Sequence, residues 1–499
     1  MAKKIILLIM SAAVIITMFS ACSTQTDEPE TTTAPPLQQK NFIPTDDTTF
    51  KLSYTQSDSL NPYECITQNN QLLAQLVFES LFNLDENYKS SLNLASSYRY
   101  TNSKTLEVTI PDGLTFSDGS ALTADDITYS FRKAAESSYW GNSLNGISSC
   151  NAASATVIEF HLRYPNSYAQ NLLIFPIMST SNDENGYPVG NGRYYFAKEN
   201  GETILKANVS DDFNPHLTAI HLENITSYES IDNAVNIGNI SFAFRDLSRD
   251  SARKISSNKK MVNMNNLVYI GINNSSGITA NSYIRKAISL AVNREALVKS
   301  AYSNFAHEAT TVFNPDFELS ATQIFDTSAD TNAAKQAIAQ SGISNLSISL
   351  LVNNSNADRA TCAKLIKQQL EAVGFQVNLV TAGTYEDYEK RITEEQFDLY
   401  VGETKVSPDM SLQTFFSSDG STHYGIKIEE CNSAAEYNKY INGEMELGAF
   451  LLAFSDEMPY IPLLYRKGMI CFSKAMNGDM QGTYTNCFAN IENWYFKAE

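Results

Sequence analysis

Residues 105–134 read TLEVTIPDGLTFSDGSALTADDITYSFRKA, and the fold of the whole chain is decided here. Leu106, Val108 and Ile110 alternate with Glu107 and Thr109, the period of a half-buried strand. Asp112-Gly113 and Asp118-Gly119 supply turns. Thr123 and Asp126 stand at the spacing of a capping box, and Ile127, Phe131 and Ala134 form the apolar stripe of the helix that follows. Thirty residues thus hold a strand, a short hairpin arm and a capped helix, which makes an α/β module.

The run Gly113-Leu114-Thr115-Phe116-Ser117-Asp118-Gly119, continued by Leu122-Thr123-Ala124-Asp125-Asp126-Ile127 and Tyr129-Ser130, resembles the signature of the peptide-type solute-binding proteins of bacterial ABC importers. The resemblance extends outward in order. Upstream it takes in Ser59-Leu60-Asn61-Pro62-Tyr63 and Leu76-Val77-Phe78-Glu79-Ser80-Leu81-Phe82, the latter read as a helix end with Glu79 a structural carboxylate. Downstream it takes in the strand 156–162, the turn Val189-Gly190-Asn191-Gly192-Arg193-Tyr194, and Ile284-Arg285-Lys286-Ala287-Ile288-Ser289 followed by Val292-Asn293-Arg294-Glu295. It implies an α/β, periplasmic-binding-protein-like (type II, cluster C) fold of two lobes with an extra small subdomain.

The rest of the pattern agrees with such a body. Pairing the strand at Leu106 with the one at Val157 builds a small subdomain. Asn293 caps a second helix after the stripe Ile284, Ile288, Ala291 and Val292. From Asn345 the chain reads β-α-β: a strand through Leu346–Val352, a helix through Ala363, Ile366, Leu370 and Val373 stopped at Gly374, and a strand through Val377 and Leu379. A crossover of that length implies parallel strands. The expected domains are lobe I in 41–60, 175–262 and 466–499, the small subdomain in 61–174, and lobe II in 263–465, with the chain crossing between lobes as a hinge.

The start of the chain reads as an address. Lys3 and Lys4 precede an apolar run of about fifteen residues, short of the roughly twenty that span a bilayer, so residues 1–21 are expected to be a secretory signal peptide. Ser20-Ala21-Cys22 resembles the lipobox of bacterial lipoproteins, which implies acylation of Cys22 and anchoring on the extracytoplasmic face of the cell membrane. Residues 22–40, polar and rich in Pro and Thr, are expected to be a flexible linker.

Composition narrows function. A formal net charge of −19 argues against nucleic acid and against a basic lipid-binding patch. Beyond Cys22 the six cysteines, Cys65, Cys150, Cys362, Cys431, Cys471 and Cys487, have neither CxxC spacing nor a His at ligand spacing; thiols and bridges both remain open. No metal and no cofactor are expected. An exported hydrolase is the rival reading, although no GxSxG or HExxH is present and His161, His216, His221, His307 and His423 show no triad spacing. A surface adhesin or receptor on the same fold is the other rival.

In peptide-binding members of the resembled family, a loop after the last long strand of lobe II carries Gly-Trp and then an Asp that pairs with the peptide's amine. The matching stretch here is Leu399-Tyr400-Val401-Gly402-Glu403-Thr404-Lys405-Val406-Ser407-Pro408-Asp409-Met410, with no Trp and with Val406 at the Asp position. The expected ligand contacts are therefore a carboxylate from Glu403 or Asp409, facing an amine, with Tyr269, Asn273 and Tyr424 lining the cleft. The chain is expected to be a monomeric, non-enzymatic receptor for a peptide or similar solute. It would work with separate permease and ATPase subunits, since it has neither a multi-span region nor a GxxxxGK[ST] loop.

Overall fold

Two strands of unusual length organise the molecule, Asn258–Ile272 and Tyr460–Phe472, paired antiparallel from Asn258 opposite Phe472 to Gly271 opposite Tyr460. This computed structural model describes residues 49–246 and 254–496; the expected signal peptide, Cys22 and the linker lie outside the described residues. Within the compact unit Asp47–Glu499, the two strands sit in the middle of an eleven-stranded sheet.

Their partners divide along their length. Phe242–Asp246 pairs with residues 468–472 only, and leads on to Lys51–Tyr54, Ala219–Asn224, Glu202–Ala207 and Tyr194–Glu199. Leu399–Lys405 pairs with residues 266–272 only, and leads on to Ser347–Asn353 and Gln376–Ala382. Between the two regimes the register breaks, from Asn263 to Leu267. Such an irregularity sharpens the local bend and twist.

Beyond the break, side chains alternate between two cores as a pleated strand requires. Leu267 and Tyr269 pack with Leu351, Tyr400, Phe415 and Phe454 on one face. Val268, Ile270 and Ile272 pack with Ile288, Leu350, Ile366 and Leu463 on the other. The β-α-β reading holds: Ser347–Asn353 and Gln376–Ala382 run parallel, joined by the helix Ala357–Ala372. Gly374 follows with φ of +115°, a conformation that stops a helix cheaply only at glycine.

The stretch 105–134 folds as its pattern predicts. Leu106 and Val108 are buried on the strand Thr105–Thr109, which pairs antiparallel with Val157–Leu162 in a four-stranded sheet. In the helix Ala124–Glu136 the Asp126 carboxylate accepts from the Thr123 amide at 2.9 Å, and Ile127, Phe131 and Ala134 face the core. That core is continuous with Phe242 of the large sheet and with Phe50 and Trp494 beside it.

One local reading is corrected. The apolar run 76–82 is not a helix end throughout: the helix Gln68–Val77 stops at Val77, and Phe82 begins the strand Phe82–Leu84. The turn at 190–192 explains the stop. The Gly192 amide donates to the Val77 carbonyl at 2.8 Å, and the Asn191 side chain accepts from the Glu79 amide at 3.1 Å. A Cβ on Gly192 would lie 2.4 Å from the Val77 carbonyl carbon. These glycines serve close backbone approach rather than a positive φ.

Candidate functional site

At the register break the end of Leu399–Lys405 is pinned to the long strand. Lys405 stands opposite Asn266. The Val406 amide donates to the Asn265 carbonyl at 2.8 Å, and the Asn265 side-chain amide donates to the carbonyls of Val406 at 2.8 Å and Ser407 at 3.2 Å. Asn314 in turn donates to Asn265 Oδ1 at 2.9 Å, which orients that amide.

Beside this junction is a cavity of about 540 Å³. Ser143, Gly146 and Tyr164 wall it on one side, Lys405, Ser411 and Thr414 on another, and Tyr484 closes it from the C-terminal segment. A smaller cavity of about 100 Å³ adjoins it and shares Tyr139, Ser143, Lys405 and Tyr484. Hydroxyl and amide groups dominate the larger wall, an environment for a polar solute with several hydrogen-bonding groups.

The charges around the cleft are mostly engaged. Arg466, with only 4% of its side chain exposed, bridges Asp246 on one side of the break and Glu403 on the other. Glu79 receives Asn93 Nδ2 at 2.7 Å and stands 3.7 Å from Arg193, the structural role expected of it. Asp419 accepts from the Ser417 hydroxyl, which holds its carboxyl below the usual range. Lys405 differs: its side chain is exposed toward the cavity, its Nζ lies 4.7 Å from the Tyr139 ring centre and 5.1 Å from that of Tyr484, and among the described residues no carboxylate is within ion-pair distance of it.

The five expected contact residues are not brought together. Glu403 is enclosed by Arg466, by Arg359 at 3.8 Å and by Asn266 Nδ2 at 3.1 Å; burial pushes its carboxyl up, against the pull of Arg359 and Asn266. Asp409 is 4% exposed and accepts from Asn166 at 2.7 Å, from the Ser411 amide at 3.1 Å and from the Ser407 hydroxyl, while burial raises its carboxyl. It borders a separate cavity of about 160 Å³. Tyr269 is 3% exposed, bonded to the Tyr400 hydroxyl at 3.1 Å and packed edge-on against Phe415. Asn273 is buried and accepts from Ser275, and Tyr424 stacks on His423. None of the five lines the two adjoining cavities.

Tyr139, Tyr484 and Lys405 were not singled out by the pattern. Tyr139-Trp140 does leave a signal, an aromatic pair in the polar stretch after a helix; Tyr484 lies more than three hundred residues away and leaves none. All six cysteines of the body are free thiols, five of them buried. Among the described residues no cluster of three or more His, Cys, Asp or Glu is placed to hold a metal, and no helix is long and apolar enough to cross a membrane.

Known proteins share this architecture. Residues 89–423 match the family described as bacterial extracellular solute-binding proteins, family 5 Middle. The glutathione-binding protein GsiB of Escherichia coli (strain K12) is 26% identical over 351 residues, 65% of this chain and 68% of that protein. Among solved structures, a putative peptide binding protein AppA from Clostridium difficile superposes with a TM-score of 0.70 at 19% identity, covering 90% of this chain and 100% of that one. NikA from Brucella suis, in complex with Fe(III)-EDTA, superposes with a TM-score of 0.69 at 17% identity, covering 90% and 100%. At these identities the structures establish the shared two-lobed fold.

Proposed function

The chain belongs to the bacterial extracellular solute-binding proteins of family 5, and on that premise we propose that it captures a peptide-like small solute in the cleft at the register break and delivers it to an ABC permease. The observation that carries this reading is the cavity of about 540 Å³ walled from both sides of the crossing strands. A ligand there touches groups whose separation changes when one side rotates against the other, so contacts present only in the closed state drive closure. Relatives named for glutathione and peptides support a peptide-like cargo.

In this reading the lobes divide as lobe I (41–60, 175–262, 466–499), the small subdomain (61–174) and lobe II (263–465). The change of strand partners around the register shift at Asn263–Leu267 supports that division. In this reading Glu403, Asp409, Tyr269, Asn273 and Tyr424, named above as ligand contacts, are held by protein partners, and the solute is bound by the residues that line the cavity. The signal peptide, acylation of Cys22, a monomeric state and partner membrane and ATPase subunits complete the proposal, with binding rather than catalysis as the role.

A thermal-shift screen of the mature protein against pooled di- to hexapeptides, amino acids, sugars and metal chelates tests it. A solute at a hundred times its dissociation constant adds about 2.7 kcal/mol of stability. If no pool raises the melting temperature, solute capture is wrong; if chromogenic peptides or glycosides are turned over, the hydrolase reading replaces it.

A further inference from the structure

Lys405 breaks the pattern of its surroundings. The carboxylates at the cleft are held by protein groups: Asp246 by Arg466, Glu79 by Asn93 and Arg193, Asp419 by Ser417. The ammonium of Lys405 instead projects into the cavity between two tyrosine faces, 4.7 and 5.1 Å from their ring centres, with no acid among the described residues to neutralise it. Ring faces orient a cation and lower its desolvation cost without consuming its charge. The chain as a whole carries −19, so this point of positive potential opposes the field of the rest of the molecule.

Position adds a second argument. Lys405 ends the strand that pairs with the far half of the crossing strands, Tyr139 follows the helix Ala124–Glu136, and Tyr484 lies in the segment after Tyr460–Phe472. A single anionic group at the ammonium would touch three separately anchored segments next to the register break at Asn263–Leu267. Binding there ties the segments that closure brings together.

We propose that Lys405, framed by Tyr139 and Tyr484, is the anchor for a carboxylate of the solute, so that the cargo is a small acid-bearing molecule held by its anionic end at the hinge. This deepens the solute-capture reading and rests on it. It also inverts the polarity expected from the loop 399–410, in which a protein carboxylate would meet a solute amine.

The test measures binding of the mature protein to di-, tri- and tetra-alanine, to the same peptides with amidated C-termini, to the same peptides with acetylated N-termini, and to an amidated peptide carrying one Glu side chain. Calorimetry and the fluorescence of Trp140, which lines the smaller cavity, give the readouts. Acetylation is expected to change affinity by less than threefold and amidation to weaken it at least tenfold. Recovery of affinity with the Glu peptide identifies a side-chain carboxylate as sufficient; failure to recover restricts the anchor to the terminal one. Lys405→Gln abolishes the difference between acid and amide in a variant that still unfolds cooperatively, and Lys405→Arg, which keeps the cation, retains it. Equal binding of acid and amide by the native protein, or a difference that survives Lys405→Gln, overturns the proposal. Binding of uncharged or cationic solutes alone overturns it but leaves solute capture standing; binding of nothing overturns both.

Discussion

Glu403 and Arg466 illustrate how a side chain's neighbours decide its role. With 13% and 4% of their side chains exposed, they form the middle of a chain of charges from Asp246 to Arg359. Removing one partner strands a buried charge. Glu403→Ala is therefore expected to lower the unfolding free energy by about 3 kcal/mol or more. An unchanged urea midpoint would refute this. His307 makes a second prediction. Burial and the nearby Lys467 lower its pKa from 6.5 to about 4, and its Nε2 lies 2.8 Å from Asn263 Oδ1. The unfolded chain takes up a proton that the folded one refuses, so stability present above pH 6.5 is lost as pH falls toward 4. The loss should be on the order of 2–3 kcal/mol, and His307→Gln should flatten it in chemical-denaturation curves collected from pH 7 to pH 4.

At the scale of elements, features set by neighbours in sequence were readable and features set by distant backbone were not. Asn293 caps its helix as the spacing predicts, accepting from the Ala296 amide at 2.8 Å, and in the structure Asn281 caps the preceding helix, accepting from the Tyr283 amide at 2.9 Å. The resembled motif's arginines turn out to saturate carbonyls: Arg285 donates to Thr279, Ala280 and Glu457, and Arg294 to Pro462 and Asp326. The helix stop at Val77 was invisible because the apolar run continues through it, and only the turn at Gly192 competes for the Val77 carbonyl. Gly192→Ala forces that contact apart and is expected to cost about 1–3 kcal/mol. A melting temperature equal to that of the native protein would show that the turn yields freely.

For the whole molecule the decisive quantity in the proposed capture is the balance between open and closed arrangements. Residues 164–171 reach across to 407–411: the Tyr164 hydroxyl lies 3.0 Å from Ser411 Oγ, Asn166 donates to Asp409 at 2.7 Å, and Asn171 to the Pro408 carbonyl at 3.2 Å. Each such bond adds roughly 0.5–1.5 kcal/mol to the state that contains it. Tyr164→Phe keeps the ring and removes one bond, so it should weaken solute affinity by about 2- to 10-fold through a smaller closed fraction. Small-angle scattering should record a larger radius of gyration for the unliganded variant. Equal radii and equal affinities would exclude a clasp at this place.

The sequence by itself determined the α/β class, the two-lobed family fold, the strand–turn–helix at 105–134 and the β-α-β of 347–382, because periodicity, capping and turn chemistry act over a few residues. It also marked the loop 399–410 as the region of interest. Only the tertiary structure decided which charges there remain available. Glu403 and Asp409 are drawn inward by Arg466, Arg359, Asn166 and the nearby Ser411 amide, and Lys405 is left facing the cavity between Tyr139 and Tyr484. A pattern along one strand specifies which side chains share a face; what neutralises a charge is set by residues on other elements, and that is decided by packing.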